Sequence, residues 1–217
     1  MCVHYRQSVS PSDAAEFFSQ GSLKLAETAA RSNIEPGHVR EDKDGPIMIA
    51  DSVFGELVFE TMRWGFPHYK NPKDQIVNIR NLKSSWWRGI NGDYLLKPEY
   101  RCLIPFTAFA EYSQLERKEV FFSIGAPFPV FAGIWRPWTG ARLKPVVGRA
   151  RRQRLDDNWK LYAFLTTEAN GVVEPHHDKA MPTILTTQAE CEEWMGGGED
   201  SLRLQRPLPD EMVKRVA

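Results

Sequence analysis

The chain has 217 residues, with 28 basic and 28 acidic side chains, so its formal net charge is zero. This length favours one domain, and 42% apolar residues with seven tryptophans exclude a disordered chain. No apolar run is long enough for a transmembrane helix, and residues 1–10 lack the apolar core of a secretory signal. Three widely spaced cysteines indicate a reducing compartment rather than a disulfide framework, so we expect a cytoplasmic protein.

A short helix is predicted close to the N-terminus. Ser10 is suited to be its N-cap, Pro11 takes the first helical position, Asp13 lies in the first turn, and apolar side chains continue up to Gly21. Residues 21–45 contain several helix and strand breakers and are predicted to be a loop.

Short apolar or alternating runs bounded by turn residues predict a series of strands. They span residues 47–50, 56–61, 75–79, 101–104, 120–124, 130–135, 160–166 and 183–185. A second helix is predicted over 187–195, because Thr187 and Glu190 are spaced as a capping box and three glycines follow, and a short helix over 209–216. Many strands without regular strand–helix alternation predict an α+β fold with a curled, mostly antiparallel sheet and a few short flanking helices.

Basic charge is concentrated in one segment. Between residues 142 and 154 there is no acidic side chain and there are six basic ones: Arg142, Lys144, Arg149, Arg151, Arg152 and Arg154. Such a segment is either a solvated loop or a rim that contacts phosphates. The chain as a whole lacks the basic excess that nucleic-acid-binding domains often have.

Cys2 carries the most chemical information because of its position. A small residue at position 2 usually permits removal of the initiator methionine, which gives Cys2 an α-amine and a thiol on adjacent carbons. Their ordinary pKa values are about 8 and about 8.5. The thiolate can attack an acyl carbon. Alternatively, the amine can condense with an aldehyde, and the thiol then closes a five-membered thiazolidine ring without any cofactor.

Seven short motifs follow Cys2 in a definite order. They are Trp64-Gly65-Phe66-Pro67, Asn78-Ile79-Arg80, and the segments RCLIP at 101–105, FAEY at 109–112, FAGIW at 131–135, FLTT at 164–167 and HDKAMP at 177–182. This ordered set resembles the SOS response-associated peptidase (SRAP) family over about residues 1–195. We therefore expect a single SRAP-like domain over 1–217, with a C-terminal tail at 196–217.

The resemblance implies a function and a set of site residues. It implies binding of single-stranded DNA and a thiazolidine crosslink between the mature Cys2 and the ring-opened abasic aldehyde, which shields the lesion. It also implies β-lyase-like chemistry and self-removal of the first methionine. The implied catalytic residues are Cys2, Asn78, Glu111 and His177. The side chains expected to contact DNA are Arg80, Lys179, Trp64, Pro67, Trp86 and His4.

Each implied role has a physical basis. An imidazole such as His177 can protonate the sugar ring oxygen and assist ring opening. Glu111 lies in an apolar strand, where partial burial would raise the pKa of its carboxyl towards neutrality and suit it to shuttle protons. Asn78 can orient the Cys2 terminus or a sugar hydroxyl. Arg80 can hold a phosphate through two parallel hydrogen bonds, and Lys179 can attract one as a point charge.

The chain departs from the family pattern at several positions. Val3 and His4 replace the usual Gly and Arg, and the other departures are Asn81, Leu82 and Tyr112. A branched Val3 is stiffer beside the nucleophile. These changes put the DNA contacts in question more than the chemistry of Cys2, because His4 or Arg6 would have to replace the usual arginine.

Several alternatives remain open. His176 stands beside His177 and competes for the same role, and core packing competes with base stacking for the tryptophans, Trp135 above all. We expect a monomer that needs no metal, since no Cys or His pair has zinc-site spacing, and that is nucleoid-associated if bacterial. The competing functions are an N-terminal-nucleophile cysteine peptidase or amidohydrolase, and a non-catalytic single-stranded-DNA binding module in which Cys2 is incidental.

Overall fold

The computed structural model describes residues 2–53, 55–68, 70–71, 74–144, 151 and 153–216, and at positions 144 and 155 it describes the backbone alone. Within these ranges the strands form a five-stranded sheet, an eight-stranded sheet and a two-stranded ribbon. In the same part of the chain the helices are short, and none has both the length and the apolar character needed to span a bilayer.

The strands alternate with few helices along the chain. The strands are β1 (His4–Gln7), β2 (Gly37–Arg40), β3 (Asp44–Ala50), β4 (Leu57–Trp64), β5 (Phe66–Pro67), β6 (Gln75–Ile76), β7 (Asn78–Ile79), β8 (Arg101–Pro105), β9 (Ala108–Ser113), β10 (Lys118–Ile124), β11 (Val130–Lys144), β12 (Gln153–Thr167), β13 (Met181–Pro182), β14 (Ile184–Leu185) and β15 (Val213–Val216). The α-helices are α1 (Pro11–Phe17), α2 (Glu27–Ala30), α3 (Gly92–Leu96) and α4 (Gln188–Met195). A π-helical turn covers Trp86–Ile90, and 3₁₀ turns cover Pro98–Tyr100, Asp200–Leu204 and Asp210–Met212.

The five-stranded sheet makes the N-terminal strand an inner one. Its order is β15-β10-β9-β1-β2, and every pair in it is antiparallel. His4 on β1 lies opposite Arg40 on β2 and opposite Ala110 on β9. Cys2 lies two residues before the start of β1, so this register brings it to the part of β9 that carries Glu111.

The eight-stranded sheet is organised around the long hairpin of β11 and β12. The order is β13-β12-β4-β3-β8-β11-β14, and β7 pairs with β12. The pairs that β12 makes with β4 and with β7 are parallel, and the other strand pairs are antiparallel. Phe164 on β12 pairs with Asn78 on β7. The predicted α+β fold with mostly antiparallel sheets and few short helices is therefore confirmed.

An aromatic core lies against both sheets. Phe131 of β11 stacks on Phe106, with ring centroids 3.9 Å apart, and on Phe164 at 4.5 Å. Tyr5 of β1 contacts Phe131 edge to face at 5.5 Å, and the Tyr5 hydroxyl lies 2.7 Å from that of Tyr162. The strand that follows Cys2 is thus fixed to the rest of the protein by buried rings.

Both helices predicted from capping signals are present. Ser10 and Asp13 form a capping box at α1, and Thr187 and Glu190 form one at α4. The indole Nε1 of Trp194 donates to the carbonyl oxygens of Cys102 and Gly133, at 3.2 and 3.0 Å, which attaches α4 to β8 and β11.

Two local predictions are wrong. The segment 21–45 is not simply a loop, because it contains α2 and β2 and ends at the start of β3. Residues 209–216 do not form a helix; a 3₁₀ turn leads into β15, whose Val216 pairs with Phe121 of β10. In both segments pairing with a distant strand decides the conformation, and local propensity does not contain that information.

Candidate active site

Cys2 is completely buried where β1 begins. Its thiol lies 3.5 Å from the carbonyl oxygen of His4, and its own carbonyl oxygen accepts a 2.8 Å hydrogen bond from the side-chain amide of Asn78. Burial raises the pKa of the Cys2 thiol well above its usual value, and the negative charge of Glu111 raises it further. The sulfur is therefore a protonated thiol at neutral pH.

Asn78 is held next to Cys2 by the parallel pairing of β7 with β12. Its side chain is half-buried, and its amide nitrogen is used by the Cys2 carbonyl oxygen. In the part of the chain that the structure describes, no hydrogen-bond partner reaches the buried Oδ1 atom of Asn78. A buried acceptor of this kind is suited to receive a hydrogen bond from a ligand hydroxyl or an amine.

Glu111 lies on the inward face of β9. Strand alternation turns Tyr112 outwards, where it is 49% exposed, and leaves Glu111 1% exposed. Because burial disfavours the charged carboxylate, the pKa of Glu111 is raised to about 7. A carboxyl with this pKa is present in both protonation states at neutral pH, which a proton shuttle requires.

His177 faces Glu111 from the loop that follows β12. Its backbone amide donates to the carbonyl oxygen of Val173 at 2.9 Å, and its Nε2 atom lies 3.7 Å from Glu111 Oε2. Burial lowers the pKa of His177 below its usual value. Burial thus favours the neutral form of both groups, and at this separation the imidazole and the carboxyl can act on the same bound ligand.

The neighbouring His176 contacts other residues than His177 does. Its Nδ1 atom lies 3.3 Å from Ser113 Oγ and 3.4 Å from Glu116 Oε1. Of the two adjacent histidines, the structure therefore brings His177 to the Cys2 cluster, as the resemblance implied.

Arg80 and Lys179 lie together at the edge of this cluster. Both residues are exposed, and the Arg80 guanidinium donates to the Lys179 carbonyl oxygen. Gln205, from the C-terminal segment, donates to the carbonyl oxygens of Arg80 and Thr166 at 2.7 and 2.9 Å. Gln205 was not anticipated, because nothing in its sequence surroundings marks it.

Two residues expected to contact DNA are buried instead. Trp64 is 0% exposed, stacks on Phe164 at 5.1 Å and donates its Nε1 hydrogen to the carbonyl oxygen of Val77 at 3.0 Å, so it offers no face to a base. His4 is 3% exposed, with its Nδ1 atom 2.9 Å from Glu119 Oε2 and its Nε2 atom 2.7 Å from His38 Nδ1. The structure corrects both expectations.

The remaining aromatic candidates lie in intermediate positions. Pro67 and Trp86 are half-buried, so part of each remains accessible, and their DNA contacts stay predictions. Trp87 is 5% exposed and belongs to the core. Trp135 is half-buried and donates its Nε1 hydrogen to the carbonyl oxygen of Glu99 at 3.0 Å.

The basic segment is not one continuous rim. Arg142 is 2% exposed and donates to Gly65 O at 2.7 Å, to Gln75 Oε1 at 2.9 Å and to Asp42 Oδ1 at 3.2 Å. It is thus a structural cation that ties β11 to the loop after β4. Of the other basic residues, Arg151 and Arg154 are exposed, Arg149 and Arg152 lie outside the described residues, and Lys144 is described by its backbone only.

The other groups of chemical interest are structural. Cys102 and Cys191 are buried free thiols. Within the described ranges, no group of three or more His, Cys, Asp and Glu side chains is arranged to hold a metal ion. The residues that the structure does assemble are a half-buried amide, a carboxyl, an imidazole and Cys2, which together suit acid–base and nucleophilic chemistry.

Comparison with protein-family models identifies the class of protein. The model described as "SOS response associated peptidase (SRAP)" matches residues 1–216. Because this match spans nearly the whole sequence, the chain belongs to the SRAP family, and membership associates it with the SOS response to DNA damage. The comparison with curated proteins gives no match.

Solved structures share the fold at low sequence identity. A protein from Bordetella bronchiseptica has a TM-score of 0.71 at 18% identity, with 99% of this chain and 98% of that chain covered. A protein from Bacteroides thetaiotaomicron has a TM-score of 0.65 at 19% identity, covering 99% and 90%. A phage-related protein from B. bronchiseptica has a TM-score of 0.66 at 17% identity, covering 99% and 93%. At this identity the likeness establishes the fold alone.

Proposed function

We propose that this protein captures abasic sites in single-stranded DNA as a covalent thiazolidine on Cys2, after removal of the first methionine. The observation that carries the proposal is the convergence of Asn78, Glu111 and His177 on the buried N-terminal cysteine, from three distant parts of the chain. The protein acts as a monomer in the cytoplasm, and the crosslink shields the lesion.

The chemistry begins with the amine and not with the sulfur. Because burial keeps the Cys2 thiol protonated, the α-amine, with an ordinary pKa of about 8, is the stronger nucleophile towards an aldehyde. Condensation forms a C=N bond, and both amine hydrogens leave with the carbonyl oxygen as water. The thiol then adds across this bond, so that sulfur bonds to carbon and the thiol hydrogen ends on nitrogen.

Glu111 and His177 move the protons that these steps require. Ring opening of the sugar needs an acid at the ring oxygen, and loss of water needs one at the carbinol oxygen. The two groups lie 3.7 Å apart, so both can act on one sugar, and the pKa of Glu111, about 7, lets its carboxyl donate or accept a proton near neutral pH. The Oδ1 atom of Asn78, which has no hydrogen-bond partner among the described residues, accepts a hydrogen bond from the sugar or from the new N-terminus.

The same imine supports strand cleavage. Conversion of the aldehyde to an imine acidifies the adjacent sugar hydrogens, and transfer of one of them to the Glu111 carboxylate expels the 3′ phosphate by β-elimination. Closure of the thiazolidine removes the imine, so crosslinking and lyase chemistry compete for one intermediate. Arg80 and Lys179, at the edge of the site, hold phosphates of the strand.

Peptidase or amidohydrolase activity has less support from this geometry. An acyl-transfer nucleophile must be a thiolate, and the environment of Cys2 holds its thiol protonated. Self-removal of the first methionine requires a single turnover only, and it remains part of the proposal because the mature amine depends on that cleavage.

One experiment separates the candidate functions. The protein is incubated with single-stranded oligonucleotides that carry either an abasic site or an intact base, and the products are resolved on denaturing and native gels. We expect a denaturation-resistant band with the abasic strand only. A native-gel shift without a covalent product would instead indicate a binding module. Turnover of peptides or amides without any effect of DNA would indicate an amidohydrolase.

A further inference from the structure

A basic cleft lies beside the site, between the Asn78-Ile79-Arg80 segment and the C-terminal segment. It encloses about 380 Å³. Arg80, Lys83 and Arg88 line one side, and Glu199, Leu202 and Gln205 line the other. Three cations thus face one carboxylate, and Leu202 adds an apolar surface.

The cleft begins two residues along the chain from the Cys2 cluster. Asn78, which binds the Cys2 carbonyl oxygen, precedes Arg80 by two residues, a distance of about 7 Å along an extended strand. The Arg80 guanidinium also reaches the Lys179 carbonyl oxygen, two residues beyond His177. A strand with its abasic sugar at Cys2 therefore has its next nucleotide within reach of this cleft.

Arg88 and Lys83 differ in whether their charge is already paired. Arg88 is fixed by a 2.8 Å hydrogen bond from its Nε atom to the Leu82 carbonyl oxygen and pairs with Glu199. The Lys83 backbone amide donates to Asn81 Oδ1 at 3.2 Å, which fixes the turn that carries it. Lys83 is exposed, and in the described part of the chain no ion pair joins its ammonium group. Glu199 therefore occupies the place of an anion on Arg88, while Lys83 remains available.

We propose that this cleft is a subsite for the nucleotide adjacent to the abasic site, with its phosphate bound by Lys83 and Arg88 after displacing Glu199. The proposal rests on the proposed function, because it takes its register from a sugar held at Cys2. Glu199 competes with the phosphate for Arg88, so it lowers the affinity for DNA. Strands that place a phosphate in the cleft while the abasic sugar lies at Cys2 are favoured over strands that do not.

Opposite effects of two substitutions test the proposal. Lys83→Gln removes a phosphate contact, so we expect binding about three- to tenfold weaker and a salt dependence shallower by about 0.7 in log–log slope. Glu199→Gln removes the competitor, so we expect tighter binding. The controls are Lys214→Gln, an exposed lysine on β15, and Glu193→Gln, whose carboxylate pairs with Arg203 away from the cleft.

The measurement is the dissociation constant for labelled oligonucleotides that carry a tetrahydrofuran analogue of the abasic site, which cannot crosslink. One set carries nucleotides only on the 5′ side of the analogue and another only on the 3′ side. We expect the effects of Lys83→Gln and Glu199→Gln in one set only. A gain of affinity by Glu199→Gln cannot arise from misfolding. Thermal melting of both variants shows whether the loss of affinity in Lys83→Gln reflects misfolding.

The outcomes separate the two proposals. If Lys83→Gln binds like Lys214→Gln, or Glu199→Gln no more tightly than Glu193→Gln, the cleft is not a nucleotide subsite, whatever the wild type does with a reactive abasic strand. If the one-sided affinity pattern appears but the wild type forms no covalent adduct, the crosslinking function is wrong and the cleft remains a subsite for DNA. Equal effects on both oligonucleotide sets would contradict the placement of the cleft on one side of the abasic sugar.

Discussion

The side-chain amide of Asn78 donates a 2.8 Å hydrogen bond to the carbonyl oxygen of Cys2, joining segments that lie 76 residues apart. This bond fixes the backbone of Cys2, the residue that becomes the N-terminus in the proposed function. An N-terminus is ordinarily one of the least ordered parts of a protein. Here the reactive residue is instead an anchored part of the fold.

Asn78→Ala should slow crosslinking because the Cys2 carbonyl oxygen loses its donor. Loss of a partner from a buried polar group costs about 1–3 kcal/mol, which corresponds to a rate lower by about 5- to 150-fold if the bond is needed in the transition state. Single-turnover rates with an abasic oligonucleotide measure the effect. Asn33→Ala, at an exposed position before β2, is the control, and equal rates for the two variants would contradict the role of Asn78.

Cys2→Ser should abolish the heat-stable adduct while leaving the imine. A hydroxyl closes only a labile oxazolidine, but the amine still condenses, so borohydride should trap a product. Cys191→Ala removes another buried thiol and should retain the stable adduct. If Cys2→Ser forms the same heat-stable adduct as the wild type, another residue supplies the nucleophile.

Glu111 should make the protein less stable as the pH rises. Its pKa is raised from 4.5 to about 7 in the folded state, so the stabilising contribution of the protonated form is complete below about pH 4.5 and is lost as the pH rises through about 7. Glu111→Gln removes this dependence. We expect the variant to gain on the order of 3 kcal/mol at pH 8, a rise in melting temperature of about 5–10 °C, with little gain at pH 4.5.

Glu119→Gln provides the contrast for this measurement. The Arg40 guanidinium holds the pKa of Glu119 below its usual value, so Glu119 stabilises the fold above its unfolded pKa and its contribution is lost on acidification. Its substitution should lower the melting temperature at pH 8. A Glu111→Gln variant whose melting temperature follows the wild type from pH 4.5 to 8 would show that Glu111 does not titrate as described.

His177→Ala should slow crosslinking about tenfold or more, because it removes one of the two proposed acid–base groups. His176→Ala should have a much smaller effect, since His176 contacts Ser113 and Glu116 and not Glu111. Affinity for the unreactive analogue should stay within about threefold in both variants. The reverse order of rates would move the catalytic role to His176.

Arg142→Ala should act on stability. The guanidinium is buried and makes three hydrogen bonds, and burial lowers its pKa only to about 10, so it remains charged. Removing it leaves Gly65 O and Gln75 Oε1 without their donor, which should lower the melting temperature by about 5–10 °C. Arg154→Ala, at an exposed position of the same basic segment, should change the melting temperature little. Equal melting temperatures for the two variants would contradict the structural role of Arg142.

Local signals in the sequence predicted the local structure. The capping residues of α1 and α4 lie within four positions of the groups they satisfy, so these helices could be placed from the sequence. The strands β1, β2 and β15 could not, because they are short and their partners are distant: His4 pairs with Ala110, and Val216 with Phe121. Such pairing depends on the assembled sheet.

The clustering of residues to which the motifs assign a catalytic role could be predicted, whereas the placement of residues chosen by their chemical type alone could not. The motifs indicated Asn78, Glu111 and His177, and their side chains do converge on Cys2. Residue type failed for Trp64 and Arg142, because an indole or a guanidinium fits a base or a phosphate as well as it fits a buried partner. Only the packing of β4 and β11 decides between the two, and no local pattern in the sequence records which side of those strands is covered.

The inner position of β1 has a consequence for how the protein folds. β1 can pair fully only when β9, about a hundred residues later in the chain, is already in place, and proteins dominated by such distant contacts fold slowly. The reactive cluster therefore forms late, because it exists only when β1, β7, β9 and the loop bearing His177 have all come together. A partly folded chain carries Cys2 but does not bring Asn78, Glu111 and His177 to it. Under the proposed function, the rate at which crosslinking returns during refolding measures the formation of the native state.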